Sequence, residues 1–176
     1  LTTGDRVLKF ENPGFASFVI DDEYTVRFGV RMTPDGGKNI SSYTKDGEWK
    51  EFMSIGPEDS MITSIAGFDQ TGQALYLIDS RQRNTAALTI LDLNTGTQSI
   101  VAENAKADLS DVLIQPVSKA LQAAAFTYER KQWIMLEPAV AADFNALREV
   151  ADGDIELVSR TLDDTIWIIA YILDDS

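Results

Sequence analysis

Ile62-Thr63-Ser64-Ile65-Ala66-Gly67-Phe68-Asp69-Gln70-Thr71-Gly72-Gln73-Ala74-Leu75-Tyr76-Leu77-Ile78-Asp79 carries an apolar run into an Asp-Gln-Thr-Gly turn and out again into a second apolar run. Asp bonds its own backbone across such a turn, and Gly supplies the positive φ that closes it. A third run, 86–92, enters Asn94-Thr95-Gly96 and leaves through a fourth, 97–102. The four runs 62–68, 74–79, 86–92 and 97–102 are short, apolar and punctuated by turns. They predict four antiparallel strands in chain order.

The same unit recurs on either side. Upstream, Tyr24-Thr25-Val26-Arg27-Phe28-Gly29-Val30-Arg31 puts Val26, Phe28 and Val30 on one face and Arg27 and Arg31 on the other. This period of two marks a strand with one buried face. With 16–20, 38–45 and 48–53 it makes a first set, separated by turns at Asp35-Gly36-Gly37 and Asp46-Gly47. Downstream, 111–115, 120–128 and 131–136 give three strands of a third set, and 154–159 with 165–173 begin a fourth. First strands start near Ala16, Ile62, Asp111 and Asp154, roughly 43–49 residues apart, the period of propeller blades. A seven-stranded sandwich needs only ~100 residues, so the number of strands favours repeated sheets. The expected fold is therefore all-β: a partial β-propeller of about four blades of four antiparallel strands. It forms a single propeller fragment over 1–176, with blade-like units at 14–53, 62–102, 111–136 and 154–173. One stretch departs from it. Val140, Phe144, Leu147 and Val150 recur at helical spacing after Pro138, which predicts a short amphipathic helix near 138–151.

Composition narrows the chemistry. The 176 residues include 15 basic and 28 acidic side chains, a net charge of −13, with no His and no Cys. Without them the chain has no Ser-His-Asp set, no thiolate nucleophile, no disulfide, and no Cys or His ligand for zinc. The acidic balance disfavours nucleic acid and anionic lipid as partners. No apolar run reaches the ~18–20 residues of a membrane helix. No Gly-rich phosphate loop and no Gly-x-Ser-x-Gly elbow occurs, so no cofactor and no catalytic residue is assigned. The chain opens at Leu1 and closes on Asp174-Asp175-Ser176 after a strand-like run, and is read as a piece of a longer, soluble protein of bacterial cytoplasm or periplasm. The strand 165–173 then has at most one partner of its own blade. Self-association through that edge, or shielding by the 138–151 helix, is expected.

Two arginines crowd the loop Ser80-Arg81-Gln82-Arg83-Asn84-Thr85. A guanidinium there can fork onto a carboxylate of a peptide or of a partner domain; the competing reading is a pair of solvated or locally paired loop charges. Arg160 is a similar case, with Asp163 and Asp164 near enough to occupy it. Arg81, Arg83 and Arg160 are thus the candidate contact residues. Asp21-Asp22-Glu23 and Asp152-Gly153-Asp154-Ile155-Glu156 lack the spacing of a calcium loop and read as solvated acidic turns, with no metal site assigned.

Taken in order, several stretches resemble the non-catalytic propeller of bacterial prolyl oligopeptidase family serine peptidases, the dipeptidyl-peptidase and acylaminoacyl-peptidase branch. They are Glu11-Asn12-Pro13-Gly14, Gly67-Phe68-Asp69, Leu75-Tyr76-Leu77, Ser80 through Leu88, Ala125-Phe126-Thr127-Tyr128 and Ser159 through Trp167. The resemblance implies a propeller that caps a C-terminal α/β-hydrolase domain, gates peptide substrates and docks on that domain. The nucleophile elbow and the paired glutamates of some members have no counterpart here. A non-enzymatic propeller that scaffolds protein contacts, and a carbohydrate-active propeller using paired carboxylates, remain the alternatives.

Overall fold

The structure, a computed structural model, describes residues 4, 6–8 and 10–173. Two compact units divide the chain, 1–61 and 62–176.

The first unit is one four-stranded antiparallel sheet in chain order: β1 (Ser17–Ile20), β2 (Val26–Met32), β3 (Lys38–Tyr43) and β4 (Trp49–Ile55). Phe28, Ile40, Met53 and Ile55 are its buried side chains, on the alternation that the sequence displays. Phe10, Phe15, Phe18, Tyr43 and Trp49 form an aromatic cluster with ring centroids 4.2–6.2 Å apart. Gly29 is there for space: a Cβ would stand 2.8 Å from the Phe15 ring. Tyr24, expected in β2, instead sits in the preceding turn with φ 59°, where Asp21 Oδ1 accepts from the Glu23 and Thr25 amides. An acidic side chain bonding its own backbone outcompeted strand propensity there.

The second unit holds three antiparallel sheets. Strands β5 (Ser64–Phe68), β6 (Ala74–Asp79), β7 (Ala87–Asp92) and β8 (Gln98–Ala102) pair in chain order. Their two turns close on Gly72 and Gly96, with φ 66° and 71°. A three-stranded sheet follows: β9 (Leu109–Ile114), β10 (Leu121–Thr127) and β11 (Lys131–Met135). Then come a 3₁₀ turn at Pro138–Val140, helix α1 (Ala141–Val150), and a two-stranded sheet of β12 (Asp154–Arg160) and β13 (Trp167–Ile172). All thirteen expected strands are present, in four antiparallel sheets that close no ring among the described residues, and the helix is in place. The fold is all-β and propeller-like.

Strand β10 explains how the sheets stack. Ala123, Ala124 and Ala125 are all fully buried; small side chains on both faces let sheets approach from either side. On one face Ala124 and Phe126 pack with Tyr76, Leu88, Ala102 and Leu109, joining the β5–β8 sheet to the β9–β11 sheet. On the other, Ala123, Ala125, Leu113 and Trp133 pack with Val140, Phe144 and Ile155. Phe144, the α1 anchor, lies 5.3 Å from the Trp133 ring and 6.1 Å from Trp167. Burying one such side chain contributes about 1.5–3 kcal/mol. The β13 residues Trp167, Ile169 and Tyr171 join this cluster, so the helix shields one face of the apolar last strand.

Candidate contact surface at the strand ends

Where β6 ends, the chain must reverse at a buried position. Asp79 is 4% exposed and provides the fixing point. Its carboxylate accepts from Arg81 Nε at 2.8 Å and Nη2 at 2.7 Å, a two-point fork, and from the Arg81 amide at 3.1 Å. Gln98 Nε2 on β8 adds a bond at 2.7 Å to Asp79 Oδ2 and another at 2.8 Å to Thr89 Oγ1 on β7. Beneath it, the Thr63 and Ser80 hydroxyls meet at 2.9 Å, both residues buried. Burial pushes the Asp79 carboxyl up, but the bonds from Arg81 and Gln98 outweigh it and hold the group below the ordinary carboxylate value. A buried charge survives because every lone pair is used.

Arg83, two residues on, is held less firmly. Its guanidinium pairs with Glu103, whose side chain is half exposed, and Nε donates to the Thr85 carbonyl at 3.2 Å. The same loop leans on the connection to the next sheet: Thr85 Oγ1 donates to the Asn104 carbonyl at 2.6 Å, and the Ala86 amide donates to Asp108 at 2.7 Å.

Arg160 lies at the opposite end of the strands. The loop of Arg81 and Arg83 abuts the start of β9, where the Leu109 amide reaches the Ala86 carbonyl. Arg160 instead donates through Nη2 to the Ile114 carbonyl, where β9 ends, roughly 20 Å along the strand. Its Nη1 meets Gln122 Oε1 at 2.6 Å and both Asp164 oxygens at 3.1 Å. Its guanidinium also stands 5.7 Å from the Trp167 ring, and Trp167 Nε1 returns a bond to Asp164 at 2.7 Å. Only 8% of the Arg160 side chain is exposed. Of the three arginines singled out from the sequence, two share a loop and the third belongs to the other end. All three guanidiniums are engaged within the chain.

Sequence reasoning missed the partners. Gln98 and Gln122 carry no local signal, because their bonds close across strands, and Asp79, only two residues from Arg81, gives no sign in the sequence that it is buried. Asp154 and Glu156, expected as solvated acids, are pair members: Arg130 Nε meets Asp154 at 3.1 Å, and Lys131 Nζ meets Glu156 at 2.6 Å and Asp111 at 2.9 Å. Burial lowers the Lys131 pKa, but these two carboxylates outweigh it and raise the value above the ordinary lysine range. Asp152, 95% exposed, does remain largely in solvent beside Arg130. Among the described residues no group of three His, Cys, Asp or Glu side chains is arranged to hold a metal ion.

The class this defines is a propeller-like stack of antiparallel sheets, locked at the strand ends by arginine–carboxylate pairs. The chain is homologous to a segment of dipeptidyl peptidases, in keeping with the resemblance read from the sequence. It is 38% identical over 172 residues to dipeptidyl aminopeptidase BIII of Pseudoxanthomonas mexicana, a match covering 97% of this chain and 25% of that protein. Dipeptidyl peptidase family member 6 of Caenorhabditis elegans is 24% identical over 183 residues, covering 98% of this chain and 25% of the relative. The chain thus spans about a quarter of the length of the curated relatives it matches. No family profile matches it, and no solved structure matches it significantly.

Proposed function

We propose that this chain is the substrate-gating and domain-docking propeller portion of a prolyl oligopeptidase family serine peptidase. Its blade-like units are 14–53, 62–102, 111–136 and 154–173, and its partner is a C-terminal α/β-hydrolase domain of the parent chain. The propeller covers the active site so that short or unstructured peptides reach the nucleophile and folded proteins do not. The observation that carries this reading is the 38% identity running through 97% of the chain to a peptidase four times its length. Arg83 is the contact residue of choice toward the hydrolase domain or a peptide carboxylate, because its present partner, Glu103, sits in solvent and exchanges at little cost. The edge of β13 is the self-association surface of the isolated chain.

The test compares the isolated chain with the longer polypeptide that contains it, using a dipeptidyl-nitroanilide substrate and a serine-directed phosphonate probe. The expected result is turnover and labelling of the longer polypeptide at a serine outside this chain, and neither in the isolated chain. Labelling of a serine within these 176 residues overturns the assignment. So does a longer polypeptide that the phosphonate leaves unlabelled, which makes the chain a non-enzymatic binding module.

A further inference from the structure

The sheets β1–β4 and β5–β8 each finish on a fourth strand, whereas the sheet β9–β11 stops at its third. After β11 the chain turns into α1 rather than running back alongside, so β11 is an open sheet edge. Register decides which backbone groups face outward. The Leu136 amide donates to the Gln122 carbonyl at 2.9 Å, and Ile134 and Gln132 stand opposite Ala124 and Phe126 in the same phase. Antiparallel pairing alternates inward and outward groups, so those of Lys131, Trp133 and Met135 point away from β10. The Lys131 amide is taken by Asp154 Oδ2 at 3.0 Å. Among the described residues no strand stands opposite those of Trp133 and Met135.

A groove of about 350 Å3 lies along the first part of this edge, with Arg130, Lys131 and Trp133 on one side and Arg148 with Asp152 and Asp154 of segment 151–155 on the other; Met135 continues the edge beyond it. Its lining gathers most of the cations of its surroundings. Residues 121–176 contain four basic side chains against eleven acidic ones, yet Arg130, Lys131 and Arg148 all line this groove. Arg130 and Lys131 are matched by Asp152, Asp154, Asp111 and Glu156. Arg148, exposed in the last turn of α1, hydrogen-bonds the neutral Asn145 side chain at 3.0 Å. A cation there suits the helix carbonyl end, and it also leaves one positive charge available beside an unpaired strand.

We infer that the β11 edge is a strand-addition site for an extended peptide segment bearing an acidic side chain, which takes the place that β4 and β8 occupy in the complete sheets. Main-chain bonds to Trp133 and Met135 supply the docking, and Arg148 selects the carboxylate. The site is independent of the peptidase reading, since it needs neither a nucleophile nor a second domain. The experiment titrates the full chain with the blocked pentapeptides acetyl-Val-Glu-Val-Glu-Val-amide and acetyl-Val-Lys-Val-Lys-Val-amide, following amide exchange residue by residue. The Glu peptide should slow exchange at Trp133 and Met135 at least about tenfold, leaving Gln132 and Ile134 unchanged. R148E, at an exposed position that leaves the fold intact, should weaken the Glu peptide at least about tenfold and strengthen the Lys peptide. The site is overturned if millimolar peptide protects neither amide, or if R148E leaves protection by the Glu peptide unchanged. Protection that follows protein rather than peptide concentration also overturns it, by making the edge a self-pairing surface.

Discussion

Arg81 and Arg160 both reach a carboxylate within four residues of themselves, yet they do different work. Arg81 forks onto Asp79 and stays within its own sheet, where Gln98 donates to both Asp79 and Thr89. Arg160 joins two sheets: its carboxylate is Asp164, but its other bonds go to Gln122 and Ile114 on β10 and β9. The first closes a loop, and the second closes an interface. A guanidinium with five donors can serve both purposes, which a lysine ammonium cannot. What separates them is how many buried groups depend on each.

The largest effect is expected at Arg160. Arg160→Ala strips a partner from Gln122, itself 5% exposed, and from Asp164. Breaking a buried pair from one side costs about 3–5 kcal/mol, so denaturant unfolding should show a loss of that order, with Arg160→Lys recovering only part. A loss below about 1 kcal/mol would erase the distinction between the two arginines. Arg81→Ala comes next. Asp79 keeps Gln98 and loses the fork, so a loss of about 2 kcal/mol is expected, with amide exchange quickening in loop 80–86 ahead of the rest of the sheet. Uniform quickening through sheet β9–β11 would mean that Arg81, too, acts between sheets.

Acid titration sharpens the comparison further. Because the Asp79 carboxyl is held below its ordinary value, the stability it contributes is complete above about pH 4, the unfolded value, and is lost as pH falls through the lowered folded one. Asp79→Asn should therefore be less stable at neutral pH, and its deficit should shrink below pH 4. A deficit constant from pH 7 to pH 3 would show that the charge contributes nothing. The smallest effect belongs to Arg83→Ala: within about 0.5 kcal/mol in the isolated chain, as for other surface pairs. In the longer polypeptide the same change should raise KM or loosen domain docking. Unchanged kinetics there would leave Arg83 as a loop charge.

The repeat was legible in the sequence because its signals are local. Turns such as Asp69–Gly72 and Asn94–Gly96 fix chain reversal within four residues, and alternation through Val26, Phe28 and Val30 fixes a strand within five. The helix announced itself by Pro138 and the spacing of Phe144 and Leu147. The Arg160–Asp164 pair, four residues apart, was legible for the same reason. Arg81–Asp79 was equally close but passed unread, because nothing in Asp79-Ser80-Arg81 reveals that the aspartate is buried.

What only the tertiary structure decided is everything that closes over a longer span. Gln98 reaching Asp79, Arg160 reaching Gln122 and Ile114, and Asp111 and Glu156 converging on Lys131 join residues 19 to 46 positions apart. Such pairs depend on which sheet stacks on which, and stacking is set by the summed fit of many buried side chains rather than by any one of them. For the same reason, sequence alone determined that β11 is a strand, while the fold determined that its outer edge is open.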